Sequence, residues 1–261
     1  MKLEVLISAM NAEPKAQTEK MKIASDAVLI NQCGLNKEEA FDISGGRIRV
    51  YSYDEKGVGV SRNHALEHAS GDILLFSDED IVYFEDYSGK ILSEFEKHPE
   101  ADGLFFNVKV CEERRTYYNS DFKRVHIWNG GRYPAYSIAV RRNALEGKDV
   151  RYSTLFGGGA KYSCGEDSLF IKDCLEAGLK LYRTPVEIGE EIPRPSTWFK
   201  GYSEKFFFDR GVLYAFLYGP LAAVWGFRFV FKNKNVMCAD IPWKKAYVIL
   251  KKGIKEGKKI K

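Results

Sequence analysis

Five short apolar runs recur through the first 110 residues: "LEVLIS" (3–8), "AVLIN" (27–31), "RIRVYSY" (47–53), "DILLF" (72–76) and "GLFFNVKV" (103–110). Between them lie "EKMKIASD", "VSRNHALEHAS" and "SGKILSEFEKH", which carry helical content. Short apolar strands separated by helices imply a largely parallel sheet with both faces covered. This predicts an α/β fold with a mostly parallel central sheet and helices on both sides. In such sheets ligands collect beyond the carboxyl ends of the strands.

Segment 111–160 is polar, aromatic and glycine-rich, and predicts long loops with one strand, "AYSIAV" (135–140). A helix is expected over 166–177, closed by Gly178 as a left-handed terminator. "LKLYRTPVEI" reads as an edge strand, because Pro185 cannot donate to a ladder on both sides. These elements place one domain over 1–200 and a C-terminal helical region over 201–261.

The C-terminal region differs in character. Seventeen uncharged residues lie between Arg210 and Arg228, interrupted by Pro220. A spanning helix needs about 20 apolar residues, so the run falls short of that length. Residues 228–261 hold eleven Lys/Arg against two acids, a balance of +9 that leaves −5 for the remainder of a chain whose net charge is +4. An apolar helix followed by a basic tail predicts an in-plane amphipathic or re-entrant anchor on an anionic membrane surface. The competing reading is a buried helical hairpin. Nucleic-acid binding is not expected, since no basic–aromatic recognition module accompanies the tail.

With 45% hydrophobic and 29% charged residues, the chain has the balance of a folded soluble protein. Its five cysteines form no C-x-x-C pair, which excludes a zinc ribbon and argues for reduced thiols. The opening "MKLEVLISAMN" carries Glu4 and no small-residue cleavage site, so no signal peptide is expected. Together these predict a cytoplasmic protein.

The chemistry concentrates at three places. "DILLF" runs into three acids, Asp78, Glu79 and Asp80. Like charges side by side repel, so a cluster at a strand end stays in water or holds a cation. In an extended segment, residues two apart point the same way, so Asp78 and Asp80 would face one site. Oxygen-only ligands with open positions suit Mg²⁺ or Mn²⁺. A calcium loop of the EF-hand type is excluded, because Tyr83 and Gly89 stand where it requires Gly and Glu.

The second place is "GGGAKYSCGEDSLF" (157–170). Ser163 and Glu166 have the spacing of a capping box, while Asp167 has the position of a general base held ionised by a helix N-terminus. The third is "EKGVGVSRNHAL" (55–66), where Arg62 precedes a helix and can clamp a phosphate or a base. His64 and His68, four apart, find no third metal ligand and are read as ordinary histidines. Trp198 is read as a core or interfacial ring, with a sugar platform as the alternative.

Taken in order, the strand–helix alternation, "EKGVGVSRNHAL", a strand ending in Asp-x-Asp and a later "GED" opening a helix resemble the family-2 glycosyltransferases, inverting enzymes of the GT-A fold. The likeness spans about residues 3–190, and "LISAMN" and "LINQCG" resemble a subgroup in bacterial surface-polysaccharide assembly. The resemblance implies a Rossmann-like GT-A domain that takes a sugar from a nucleotide-diphosphate donor, with UDP-sugar favoured. It implies Asp78 and Asp80 on a divalent metal, Mn²⁺ or Mg²⁺, with Asp78 also toward the nucleotide. Arg62 and Asn63 match the Arg-Asn beside the nucleotide, and Ser8 and Met10 match the loop that cradles it. Asp167 matches the catalytic base, with Glu166 its neighbour. Asn31 and Gln32 stand where the family often has Asp-Asp around base and ribose, which leaves the base open. The implied acceptor is a saccharide, lipid-linked, at the inner face of the cell membrane. Two rivals remain: a scaffold that keeps the fold without the chemistry, and a sugar nucleotidyltransferase. The second lacks its glycine-rich loop, since "SAMNAEPKAQ" occupies that place.

Overall fold

The computed structural model describes residues 1–113, 115–193 and 201–261; Trp198 lies outside the described residues. The first half runs β1 (Leu3–Met10), α1 (Pro14–Lys20), β2 (Asp26–Gln32), β3 (Lys37–Ile43), β4 (Gly46–Tyr53), α2 (Val58–His68), β5 (Ile73–Asp78), β6 (Ile81–Tyr83), α3 (Tyr87–Lys97) and β7 (Gly103–Lys109). There follow β8 (Lys123–Arg124), β9 (Ile138–Arg141), α4 (Arg142–Leu145), α5 (Glu166–Glu176), β10 (Leu181–Glu191), α6 (Glu204–Tyr218), α7 (Ala222–Met237) and α8 (Trp243–Ile260).

One mixed sheet has the order β3-β4-β2-β1-β5-β9-β7-β10-β6, with β8 beside β10. Strands β4, β2, β1 and β5 are parallel, and β9 enters antiparallel between β5 and β7. Alternation along the buried strands sends side chains to two cores. Val5, Ile7 and Ala9 pack with Met21, Tyr87, Ile91 and Phe95, on the side of α1 and α3. Leu6, Val28, Ile30, Leu74 and Phe76 pack with Ala65 of α2 and Phe170, Ile171 and Cys174 of α5. An apolar run with no polar alternation is thus what a doubly covered strand needs.

Several expectations are corrected. β10 is not an edge strand: it lies between β7 and β6 and also pairs β8. Pro185 is accommodated where the register with β7 shifts, between Arg183 and Glu187 and again between Glu187 and Gly189. Its carbonyl accepts from Asn107 Nδ2 at 3.1 Å. The alternating "KEEAFDI" forms β3, an edge strand hairpinned onto β4 that the apolar-run pattern does not mark. Within "AYSIAV", Ala135–Ser137 is a 3₁₀ turn, because the Pro134 carbonyl accepts from both the N–H and Oγ of Ser137, and the strand begins only at Ile138. The first helix starts earlier than "EKMKIASD" implies, since Glu13 accepts from the N–H groups of Lys15 and Ala16 and Pro14 takes the first position.

The C-terminal helices form a third core with Phe156, Tyr162 and Leu169 of the main domain. α6 and α8 cross at backbone contact. A Cβ on Gly253 would lie 2.0 Å from the Phe208 carbonyl oxygen, so no larger residue fits there. The apolar run is divided by this arrangement. Val212, Leu213 and Ala215 of α6 are buried, the chain breaks at Gly219–Leu221, and α7 leaves part of its apolar surface outside. Among the described residues, Glu204–Met237 is the one stretch long and apolar enough to cross a membrane by length and composition.

Candidate active site

The strand ends build the site. Ser8 of β1 lies beside Asp78 of β5 on one side and Ile30 of β2 on the other, so the carboxyl ends of three parallel strands finish in line. α2 then returns across this edge and carries Arg62, whose side chain is 4% exposed.

Arg62 is the hub. Its Nη2 donates to Asp78 Oδ1 at 2.9 Å, and its Nη1 donates to Asp167 Oδ1 at 2.6 Å and to Glu166 Oε1 at 3.3 Å. The guanidinium also lies over the Tyr152 ring, 5.1 Å from its centroid. Its Nε is buried without a hydrogen-bond partner among the described residues. The fork geometry of arginine suits a role that one ammonium point charge could not fill. Burial by itself would lower the Arg62 pKa, but Asp167 and Asp78 outweigh it, so the side chain stays charged.

Asp167 and Glu166 open α5, where the helix dipole favours anions. Gly165 caps the helix at φ +122°, a backbone conformation that L side chains rarely adopt. Ser163 is therefore too far back to cap, and the expected capping box does not form. Its N–H donates instead to Asp209 Oδ2 of α6 at 3.0 Å, while Glu166 Oε2 accepts from Gly165 N at 3.0 Å. The second oxygen of Asp167 accepts from Ala135 N at 3.1 Å. Burial raises the Asp167 pKa to about 7; Arg62 opposes this, and Glu166 and Asp78 add to it. A carboxylate with that value exchanges protons at neutral pH.

The other predicted residues divide. Ser8 accepts from Ser61 Oγ at 2.9 Å, which ties the end of β1 to α2. Met10 is exposed, and its N–H donates to Glu79 Oε2 at 2.9 Å, so the middle acid of the cluster holds the loop after β1. Asn31 is buried with its amide on both the N–H and C=O of Ala12, at 3.0 Å each. Gln32 donates to the Gly57 carbonyl at 3.2 Å. Asn63 grips the backbone of Tyr152, donating to its carbonyl at 2.9 Å and accepting from its N–H at 2.8 Å. These three amides shape the loops around the site.

Asp80 is 8% exposed and sits in the turn between β5 and β6, its carbonyl accepting from Ile192 N at 2.8 Å. Strand alternation therefore stops at Asp78 and cannot be what aligns Asp80 with it. Among the described residues, no group of three or more His, Cys, Asp and Glu converges on a metal. The donor chemistry nevertheless fits a hard divalent cation. Among the described residues one arginine faces three carboxylates, an excess of negative charge, and Mg²⁺-type ions take one or two protein carboxylates plus substrate phosphates rather than a full protein cage. Tyr152 was missed by sequence reasoning; only its place in an aromatic-rich loop hinted at it. Its ring stacks on Phe170 at 4.2 Å and supports Arg62 from beneath.

Residues 36–153, which include Arg62, Asp78 and Tyr152, match the family description "Glycosyl transferase family 2". That stretch of the chain is similar to glycosyl transferase family 2. No curated protein matches it in sequence. Among solved structures it is similar to residues 1–349 of S. aureus TarS in complex with UDP-GlcNAc, at 15% identity and a TM-score of 0.62, covering 92% of this chain and 74% of that one. It is also similar to the mannosyltransferase PcManGT from Pyrobaculum calidifontis in complex with GDP-Man and Mn²⁺, at 12% identity and a TM-score of 0.51, covering 100% and 76%. At these identities the likeness shows the fold alone, that of the GT-A type.

Proposed function

We propose that this protein is a glycosyltransferase that inverts configuration as it moves a sugar from a nucleotide-diphosphate donor, UDP-sugar favoured, to a saccharide acceptor carried on lipid, in surface-glycan assembly. The observation that carries this reading is the Arg62 guanidinium, which gathers Asp78 and the Glu166–Asp167 pair around one point beyond the strand ends. TarS bound to UDP-GlcNAc and PcManGT bound to GDP-Man and Mn²⁺ support a nucleotide-sugar donor.

Asp167 acts as the base. It takes the proton of an acceptor hydroxyl while that oxygen forms its bond to the anomeric carbon. The bond from that carbon to the departing diphosphate breaks on the opposite face, and the proton ends on Asp167. A single carboxylate serves, and no covalent sugar–protein bond forms. Arg62 holds Asp167 in place and, by its charge, favours the ionised form that accepts the proton. A divalent ion, Mn²⁺ or Mg²⁺, held by Asp78 and Asp80 would supply positive charge against the leaving diphosphate. Glu166 orients Arg62, while Ser8 and Met10 border the donor. The basic C-terminal region holds the protein at the inner face of the cell membrane, beside a lipid-linked acceptor.

A thermal-shift screen of nucleotide sugars with and without Mn²⁺ tests this, since a ligand stabilises the fold it binds. A UDP-sugar should raise Tm more with Mn²⁺ than with chelator, and NMR of the product should show the opposite anomer. No donor raising Tm and no sugar transferred would favour the scaffold reading.

A further inference from the structure

The three C-terminal helices share a buried core, yet α7 keeps a stripe outside: Val224 is 66% exposed, Phe227 44% and Phe231 47%. Helix periodicity puts these three on one side. Phe227 and Phe231 stack at 5.8 Å, Trp243 of α8 meets Phe231 edge-on at 5.7 Å, and Tyr247 meets Phe227 edge-on at 5.4 Å. The result is one continuous aromatic patch across two helices. Lysines border it: Lys234 lies over Phe231 at 4.4 Å, Lys251 over Tyr247 at 5.2 Å and Lys244 over Trp243 at 5.9 Å.

We infer that this α7–α8 face is the surface that docks on an anionic lipid bilayer, with the rings of Phe227, Phe231 and Trp243 at headgroup depth and Lys234, Lys244 and Lys251 on lipid phosphates. This deepens the membrane part of the proposed function and rests on it. The chemistry selects the occupant. Aromatic rings with aliphatic neighbours inside a basic border match the polar–apolar boundary of a bilayer, and the +9 balance of residues 228–261 matches anionic lipid. A second copy would bring the same +9 to the contact and be repelled. A nucleic acid would need open ring faces for bases, whereas lysines of the protein lie over Phe231, Trp243 and Tyr247. The face also replaces the uncharged run as the contact, since α6, which supplies half of that run, is packed inside. On another side of α7, Trp225 stacks on Trp128 at 5.9 Å. Trp128 belongs to the loop that continues to Ala135, so the docking helix adjoins the segment that holds Asp167.

The test is sedimentation of the full chain with phosphatidylcholine vesicles, with and without about 30% phosphatidylglycerol. Wild type should bind the mixed vesicles and lose binding in high salt. Phe227→Ser with Phe231→Ser should lower the partition coefficient on the order of tenfold or more, and Lys244→Glu or Lys251→Glu about fivefold or more each at low salt. Far-UV circular dichroism and Tm confirm that the variants fold. As a second measurement, brominated lipid should quench wild-type fluorescence, and Trp243→Phe should remove much of that quenching. Wild type that binds no vesicle overturns the membrane reading altogether. Wild-type binding undiminished in the Phe227/Phe231 double variant overturns this face alone. Tighter binding to duplex DNA or to RNA than to the mixed vesicles overturns the choice of partner.

Discussion

Replacing Arg62 with methionine keeps most of the volume under the site and removes the one buried cation that the described residues place there. Asp78, Glu166 and Asp167 are then left facing one another. Breaking a buried ion pair from one side costs about 3–5 kcal/mol, because the remaining charge stays desolvated. Here the carboxylates retain some solvent, with 29% exposure for the Asp78 side chain and 22% for Asp167, so part of the repulsion is screened. The lower end of the range, about 3 kcal/mol, is therefore expected. For a chain of this size that lowers Tm by roughly 6–12 °C. The deficit should depend on pH. Without Arg62, Asp167 loses the charge that holds its pKa down, so the folded-state value climbs beyond about 7. A group whose folded pKa lies above its unfolded one favours the folded state at low pH, and that contribution is lost as pH rises through the folded value. The variant should thus be closest to wild type near pH 5 and furthest from it near pH 9. Thermal unfolding of both proteins at the two pH values, followed by circular dichroism, gives the answer. A Tm within 2 °C of wild type at pH 9, or a deficit that does not change with pH, would refute the view that Arg62 neutralises this cluster.

Three further outcomes follow from the same geometry. Asp167→Asn should retain donor affinity while turnover falls by about 10²–10⁴; in the wild type, initial rates should rise with pH through about 7 as Asp167 loses its proton, a limb the variant lacks. Asp80→Ala should abolish the extra Tm gain that UDP with Mn²⁺ gives over UDP with chelator, each gain read in calorimetry against the variant's own unliganded Tm. Gly253→Val should force α6 and α8 apart, since even its Cβ would sit 2.0 Å from the Phe208 carbonyl oxygen; a loss of roughly 3 kcal/mol or more, read as a lower urea midpoint, is expected.

Much was legible in the chain because it depends on short-range rules. Apolar runs without alternation announce doubly covered strands, so β1, β2, β4, β5 and β7 could be placed, as could α5 ending at Gly178. The acids at the end of β5 and the pair opening α5 could be singled out because charge at a strand end or a helix start demands a reason. What could not be read is who meets whom. Arg62 finds Asp78 at a separation of 16 residues but Glu166 and Asp167 at 104 and 105, distances over which no local periodicity speaks. The same holds for Asn63, whose amide is spent on Tyr152, and for β10, whose proline suggested an edge until a bulge let it sit inside the sheet. By itself the sequence determined β1, β2, β4, β5 and β7, the span of α5 and the stock of carboxylates. Only the tertiary structure decided that one buried guanidinium joins them, because that choice follows from how the sheet is ordered and which loops its edge brings together.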